Sequence, residues 1–268
     1  MSPDRPVLDG EPAGLVRRLR GRLVSACRRR IARPALASLP LGTLEACHRS
    51  RRRLLPSRYT DAPAFDLIEV DPNRIEWSLL ESAPARPQWG RVVGGDWDRR
   101  ADRFEDRAVY RGLCQRYRDG YEWAETALVD AFADQLRRFG TAWGYTSMTG
   151  FENRCTEIDR LYESVREHGY RRQAELIDRT GTAVPRLDEI NVDVGRDGTL
   201  YWRSYGQHRL AIAKLLALES VPVLVHRRHR RWQAIRDRVR TDRPGDLPPS
   251  VRARLDHPDL RDLDGGIS

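Results

Sequence analysis

The 268 residues are enough for one large domain, or one domain with appendages. Their 40% hydrophobic and 32% charged content suits a globular protein, and no run approaches the ~20 apolar residues of a membrane helix. The net charge of +9 is unevenly placed: residues 1–60 hold 14 arginines against four acids, while the remainder has 34 basic and 35 acidic residues. The body is therefore near neutral, which argues against an extended nucleic-acid channel. Lys214 is the one lysine, so arginine abundance alone says little about phosphate binding. Cys27, Cys47, Cys114 and Cys155 form no C-x-x-C pair, which excludes a disulfide framework and a cysteine-rich zinc site. With no apolar leader core near the N-terminus, the expected setting is cytoplasmic, including a membrane-peripheral variant of it.

Taken in chain order, residues 1–60 read as a basic arm. Leu15, Leu19, Leu23 and Ala26 recur at helical spacing among arginines, predicting a short amphipathic helix within 14–32. Such an arm suits an anionic partner, either nucleic acid or a membrane surface. FDLIEVDPNRIEW, beginning at Phe65, predicts a strand, a Pro-Asn turn and a second extended piece. WGRVVGGDWD follows, where Asp96 and Asp98 lie two apart after flexible glycines. On a strand they would share one face, as a divalent metal pair or an acid–base pair beside Arg91. The alternative is a polar turn in which the aspartates cap nearby backbone groups.

Residues 100–150 predict helices with stops at Gly120 and Gly140, and a further helix opens at Thr156. INVDV alternates as a strand should, GRDG supplies a turn, and TLYWRS returns. SYGQHRLAIAKLLAL then starts a helix with a glycine and three nitrogen-bearing side chains. Backbone N–H groups at a helix start carry partial positive charge. Gly206, Gln207, His208 and Arg209 together would cradle an anion there, although no P-loop sequence occurs. VPVLV predicts a compact strand. HRRHRRWQAIRDRVR then reads as a solvated basic face, with His226 and His229 as a weak metal pair and Trp232 as a base-stacking candidate. Residues 241–268 read as a flexible tail.

The fold class expected from this alternation is α/β, a small mixed sheet with helices. The order of parts around Gly206 resembles the core of the ParB/sulfiredoxin superfamily. There a helix of S-I-x-x-x-G type leads to a strand, a D-G turn, a G-x-x-R-x-x-A helix and a closing V-P-V strand. The matching residues are Ser164, Val165 and Gly169; Asp197 and Gly198; Gly206, Arg209 and (one position late) Ala213; and Leu218, Val221, Pro222 and Val223. The resemblance covers about 156–226, within a domain of 61–240 that carries the helical insertion 100–150. It implies nucleotide binding, with ATP, ADP or CTP and Mg²⁺ as the expected ligands and their phosphates at Gly206–Arg209. A phosphotransferase or NTPase is the enzymatic form of that expectation. Glu76 is the nearest match to the serine-kinase catalytic glutamate, with Asp96 and Asp98 to place a metal. Gln207 stands where sulfiredoxins carry their reactive cysteine, so that chemistry is not expected. A DNA- or RNA-binding adaptor, or a membrane-peripheral scaffold without catalysis, are the alternatives.

Overall fold

A computed structural model describes residues 39–79, 88–177 and 182–266. The amphipathic segment at 14–32 lies outside the described residues. Helix α1 (Leu41–Leu54) is followed by strands β1 (Leu67–Val70), β2 (Trp77–Leu79), β3 (Arg91–Val93) and β4 (Ala101–Arg103). Helices α2 (Ala108–Tyr117), α3 (Ala127–Phe139), α4 (Met148–His168), α5 (Gln173–Leu176) and α6 (Val184–Leu187) come next. The hairpin β5 (Ile190–Val194) and β6 (Leu200–Trp202) leads into α7 (Gln207–Leu215), β7 (Val221–His229), α8 (Arg230–Thr241) and α9 (Pro249–Arg252).

The chain is α/β, built on one mixed seven-stranded sheet of order β1-β7-β5-β6-β2-β4. The ninth-residue reach of β7 lets it hold two partners on one flank, β1 antiparallel through Val221–Leu224 and β3 parallel through Arg227–His229. Its other flank pairs parallel with β5. β5 and β6 are antiparallel, β6 and β2 parallel, β2 and β4 antiparallel. Every residue of β5 and β7 is buried, as central strands covered on both faces should be. Ile190, Val192, Leu210, Ile212 and Val223 are fully shielded in the main core.

The predicted strand–turn–strand at 65–77 forms, but its strands do not pair with each other. β7, β5 and β6 lie between β1 and β2 in the sheet. The insertion helices α2 and α3 follow an edge strand, β4, and α2 and α4 both lie against α7. α4 begins eight residues before the expected Thr156, because Ser147 caps it by accepting from the Gly150 N–H at 3.2 Å. Phe132 and Phe151 stack at 3.9 Å and hold α3 to α4.

Two boundaries need correction. The arm does not extend to residue 60, since α1 is docked: His48 is buried beneath Gly90, and Arg52 donates to the Asp61 carbonyl at 2.9 Å. The expected flexible tail is also docked through residue 263. Asp259, 1% exposed, accepts from Trp232 Nε1 at 2.8 Å and from Arg228 Nε at 2.9 Å. Arg236, wholly buried, reaches Asp61, Asp262 and the Asp259 carbonyl.

The basic stretch 226–240 is consequently a solvated face only in part: Arg230, Arg231, Arg238 and Arg240 are exposed, and the other arginines turn inward. Arg227 donates to buried Asp193 at 2.8 Å, Arg228 and Arg236 are neutralised as above, and Trp232 is buried. His226 and His229 stand three apart on β7, with an irregularity in the pairing to β5 at residue 226, and they meet different partners. His226 Nδ1 meets Asp193 Oδ1 at 3.2 Å, whereas His229 Nε2 donates to the Gly95 carbonyl at 2.9 Å.

Candidate functional site

The start of α7 is where sequence and resemblance both place a ligand. Gly206 sits at φ +73°, ending the β6 connection, and a Cβ there would lie 2.7 Å from Ile190 Cα. Glycine is required for this backbone-to-backbone approach to β5. The three residues after it diverge. Arg209, with its side chain 11% exposed, turns back to the segment before β5: it donates to the Asp188 carbonyl and meets Glu189 Oε2 at 3.4 Å. Glu189 also accepts from the Tyr170 hydroxyl at 2.8 Å and the Gln173 N–H at 2.6 Å. Burial pushes the Glu189 carboxyl up, against the pull of these donors. His208 turns toward α4, where Arg154 Nη2 lies 3.3 Å from its Nδ1. Burial first, then Arg154 and Arg209, bring its pKa down to about 3. A neutral imidazole beside a guanidinium accepts a hydrogen bond, and adds no positive charge for a phosphate.

Of the four expected residues, Gln207 lines a cleft beside β2. Its volume is about 370 Å³, and its walls come from β2 (Ser78), the β4–α2 segment (Asp102, Arg103, Asp106, Arg107, Ala108, Val109), Leu128, Trp143 and Gln207. The first turns of α2 and α7 thus border one space. Arg107 immediately precedes α2, with its guanidinium carbon 4.5 Å from the centre of the Trp202 ring. Its Nε is buried with no hydrogen-bond partner among the described residues. Burial lowers its pKa and nearby Asp102 raises it, leaving a charged, cleft-lining residue whose Nε is buried and unsatisfied. Arg103 lies 5.2 Å over the Trp77 ring and 3.6 Å from Glu76 Oε2, which brings Glu76 to the cleft rim at second hand.

Asp96 and Asp98 belong elsewhere. Arg196, in the β5–β6 turn, donates Nη2 to Asp96 at 2.8 Å and both Nε and Nη2 to Asp98, and its backbone N–H reaches Asp98 at 2.8 Å. Burial would raise the Asp98 carboxyl, yet these donors hold it at about 2. A guanidinium therefore stands where the expected divalent metal would be. Among the described residues, no group of three or more His, Cys, Asp or Glu side chains could hold a metal ion. The β5–β6 turn and Gly206 lie at opposite ends of the hairpin, four strand steps or roughly 13 Å apart. Arg91 is on β3, on the far flank of the sheet from β2, with its guanidinium 5.8 Å from the Tyr59 ring. Ser164 accepts from Arg171 at 3.0 Å, ten residues (roughly 15 Å) along α4 from the Arg154 that meets His208. The structure brings Gln207 and, through Arg103, Glu76 to one place. It does not bring Asp96, Asp98, Arg91, Ser164 or Arg209 there.

Sequence reading missed Arg103, Arg107 and Trp143. The one available signal was local: Asp106-Arg107 precedes the apolar helix AVYRGLC much as Gln207-His208-Arg209 opens α7.

What fold and cleft define together is an α/β protein with a mixed sheet and a charged cleft at the β2–β4 edge. No protein family, curated protein or solved structure matches the chain. The likeness to the ParB/sulfiredoxin core therefore rests on the sequence motifs alone. Among the described residues, no helix is long and apolar enough to cross a membrane.

Proposed function

We propose that the chain binds a nucleotide of the ATP, ADP or CTP kind, with Mg²⁺, in the cleft between the first turns of α2 and α7. The phosphates are held by Arg107, Arg103 and Gln207, and not by Arg209 and His208. The observation that carries this reading is the Arg107 guanidinium, whose Nε has no hydrogen-bond partner among the described residues. Buried donors without partners are costly, and phosphate oxygens are the acceptors a planar guanidinium fits best. A cleft of about 370 Å³ is within the size range of small-ligand sites. Mg²⁺ needs only one or two carboxylates besides phosphate oxygens, and Asp102 and Asp106 line the same walls. The enzymatic expectation narrows accordingly from Asp96 and Asp98 to carboxylates at this rim, with Glu76 retained through its contact with Arg103.

Isothermal calorimetry with ATP, ADP and CTP in the presence of Mg²⁺ tests the reading. Arg107→Ala should weaken the best ligand roughly tenfold to hundredfold, the loss of a charged hydrogen bond. If the wild-type protein gives no heat with any of the three, the proposal fails.

A further inference from the structure

We infer that Trp143, in the turn between α3 and α4, is the platform on which the ligand's planar base stacks. This rests on the nucleotide reading above and assigns its specificity to one side chain of the insertion. Of the seven tryptophans, Trp143 alone is exposed, at 43%, and it lines the cleft beside Arg103 and Arg107. Phe132 and Phe151 support the indole at 5.6 and 5.5 Å, so the ring is fixed by packing while part of it stays open.

The backbone supplies an independent sign. Ala142 and Tyr145 exchange two hydrogen bonds, of 3.0 and 2.8 Å, closing a tight turn on Trp143 and Gly144. Both central residues have positive φ, +49° for Trp143 and +100° for Gly144. Asparagine, aspartate or glycine is the ordinary occupant of the first position, and a bulky side chain there is an outlier. Such conformations persist only where the surrounding structure over-determines them, and they cluster at ligand sites. The remaining groups complete the match. Stacking needs only a π-face, the Arg107 guanidinium takes an anion, and Asp102 and Asp106 stay with the Mg²⁺ that accompanies the phosphates. An exposed indole, a guanidinium and two carboxylates around one cleft correspond to the base, the phosphates and their Mg²⁺.

The test uses full-length protein labelled with 5-fluorotryptophan, its Trp143 resonance assigned by the signal missing in Trp143→Phe. Probes are ATP with Mg²⁺ and, lacking a base, tripolyphosphate with Mg²⁺. ATP should shift the Trp143 resonance and tripolyphosphate should leave it in place. Trp143→Gly, which suits the positive φ, should weaken ATP roughly tenfold to hundredfold, the effect of losing one stacked base, with tripolyphosphate changed less than twofold. Trp143→Phe should restore part of the ATP affinity. If ATP binds in an Arg107-dependent way but the Trp143 resonance stays put, or both probes weaken equally in Trp143→Gly, the platform is wrong and the binding site stands. If neither probe binds the wild-type protein, the nucleotide reading falls with it.

Discussion

Replacing Arg209 by methionine separates a ligand-binding arginine from a structural one. Glu189, 1% exposed, has three donors: the Gln173 N–H, the Tyr170 hydroxyl and Arg209. Arg209→Met leaves this carboxylate buried with two of them. It also removes the Arg209 donor from the Asp188 carbonyl. The charged contact at 3.4 Å is long and contributes about 1.5–2 kcal/mol, and the carbonyl's lost bond about 1 kcal/mol more. A total of about 2–3 kcal/mol lowers Tm by roughly 5–10 °C in a chain of this size. Adding Glu189→Gln to the methionine variant removes the stranded charge and should recover about 1–2 kcal/mol. Burial already raises the Glu189 carboxyl, and Arg209 is one of the groups pulling it down. Without that arginine the folded-state pKa climbs further above the unfolded value. A raised carboxyl is tolerated at low pH and loses stability as pH rises through the folded pKa. The deficit of Arg209→Met should therefore be small near pH 4 and grow toward pH 7. Urea unfolding of the four-member cycle at both pH values measures the stability term, and calorimetry on the folded protein measures binding. A variant that unfolds like wild type yet loses nucleotide affinity more than tenfold would restore Arg209 to the phosphate site and refute the assignment.

Other consequences are as direct. Asp259→Ala strands the buried Arg228 guanidinium, while Arg236 keeps Asp61 and Asp262, and should cost about 3–5 kcal/mol in urea unfolding, with the segment after residue 244 becoming protease-sensitive. Asp61, Asp98 and Asp259 are held below the ordinary carboxylate range by arginine partners, and Asp193 by His226 first and then Arg227 and Arg203, all against burial. Their stabilisation is in place above about pH 4 and is lost as pH falls toward 2, so urea midpoints should drop between pH 4 and 3, less steeply in Asp98→Asn. His208, with its pKa drawn down to about 3, should show no ring titration by NMR above pH 5. Because the unfolded imidazole takes a proton near pH 6.5, this burial term weakens as pH falls from there toward 3. Gly206→Ala places a methyl 2.7 Å from Ile190 Cα in left-handed backbone, and should cost well over the ~1–2 kcal/mol of conformational strain alone.

Local chemistry made part of this molecule legible and long-range pairing hid the rest. The α/β class, the β5–β6 hairpin, α7 and the opening of β7 follow from hydrophobic period, Gly-Arg-Asp-Gly turn chemistry and the Val-Pro-Val run, all of which act within a few residues. Charge roles do not act that way. Arg196 finds its carboxylate at Asp98, and within the basic run Arg228 finds Asp259 and Arg236 finds Asp61, so part of a run that reads as a solvated basic face turns inward as neutralised ions while Arg230, Arg231, Arg238 and Arg240 stay exposed. The same distance effect hides the proposed cleft, since its walls are drawn from positions 78, 102, 103, 106–109, 128, 143 and 207. In a chain with one lysine and arginine in every segment, a guanidinium beside a helix start carries no information by itself. Its partner does. Arg209 has Glu189 and Asp188, whereas Arg107 lines an open cleft with its Nε buried and unsatisfied. That difference in satisfaction, invisible in the letters, moves the proposed ligand from the arginine the motif names to the one 102 positions earlier.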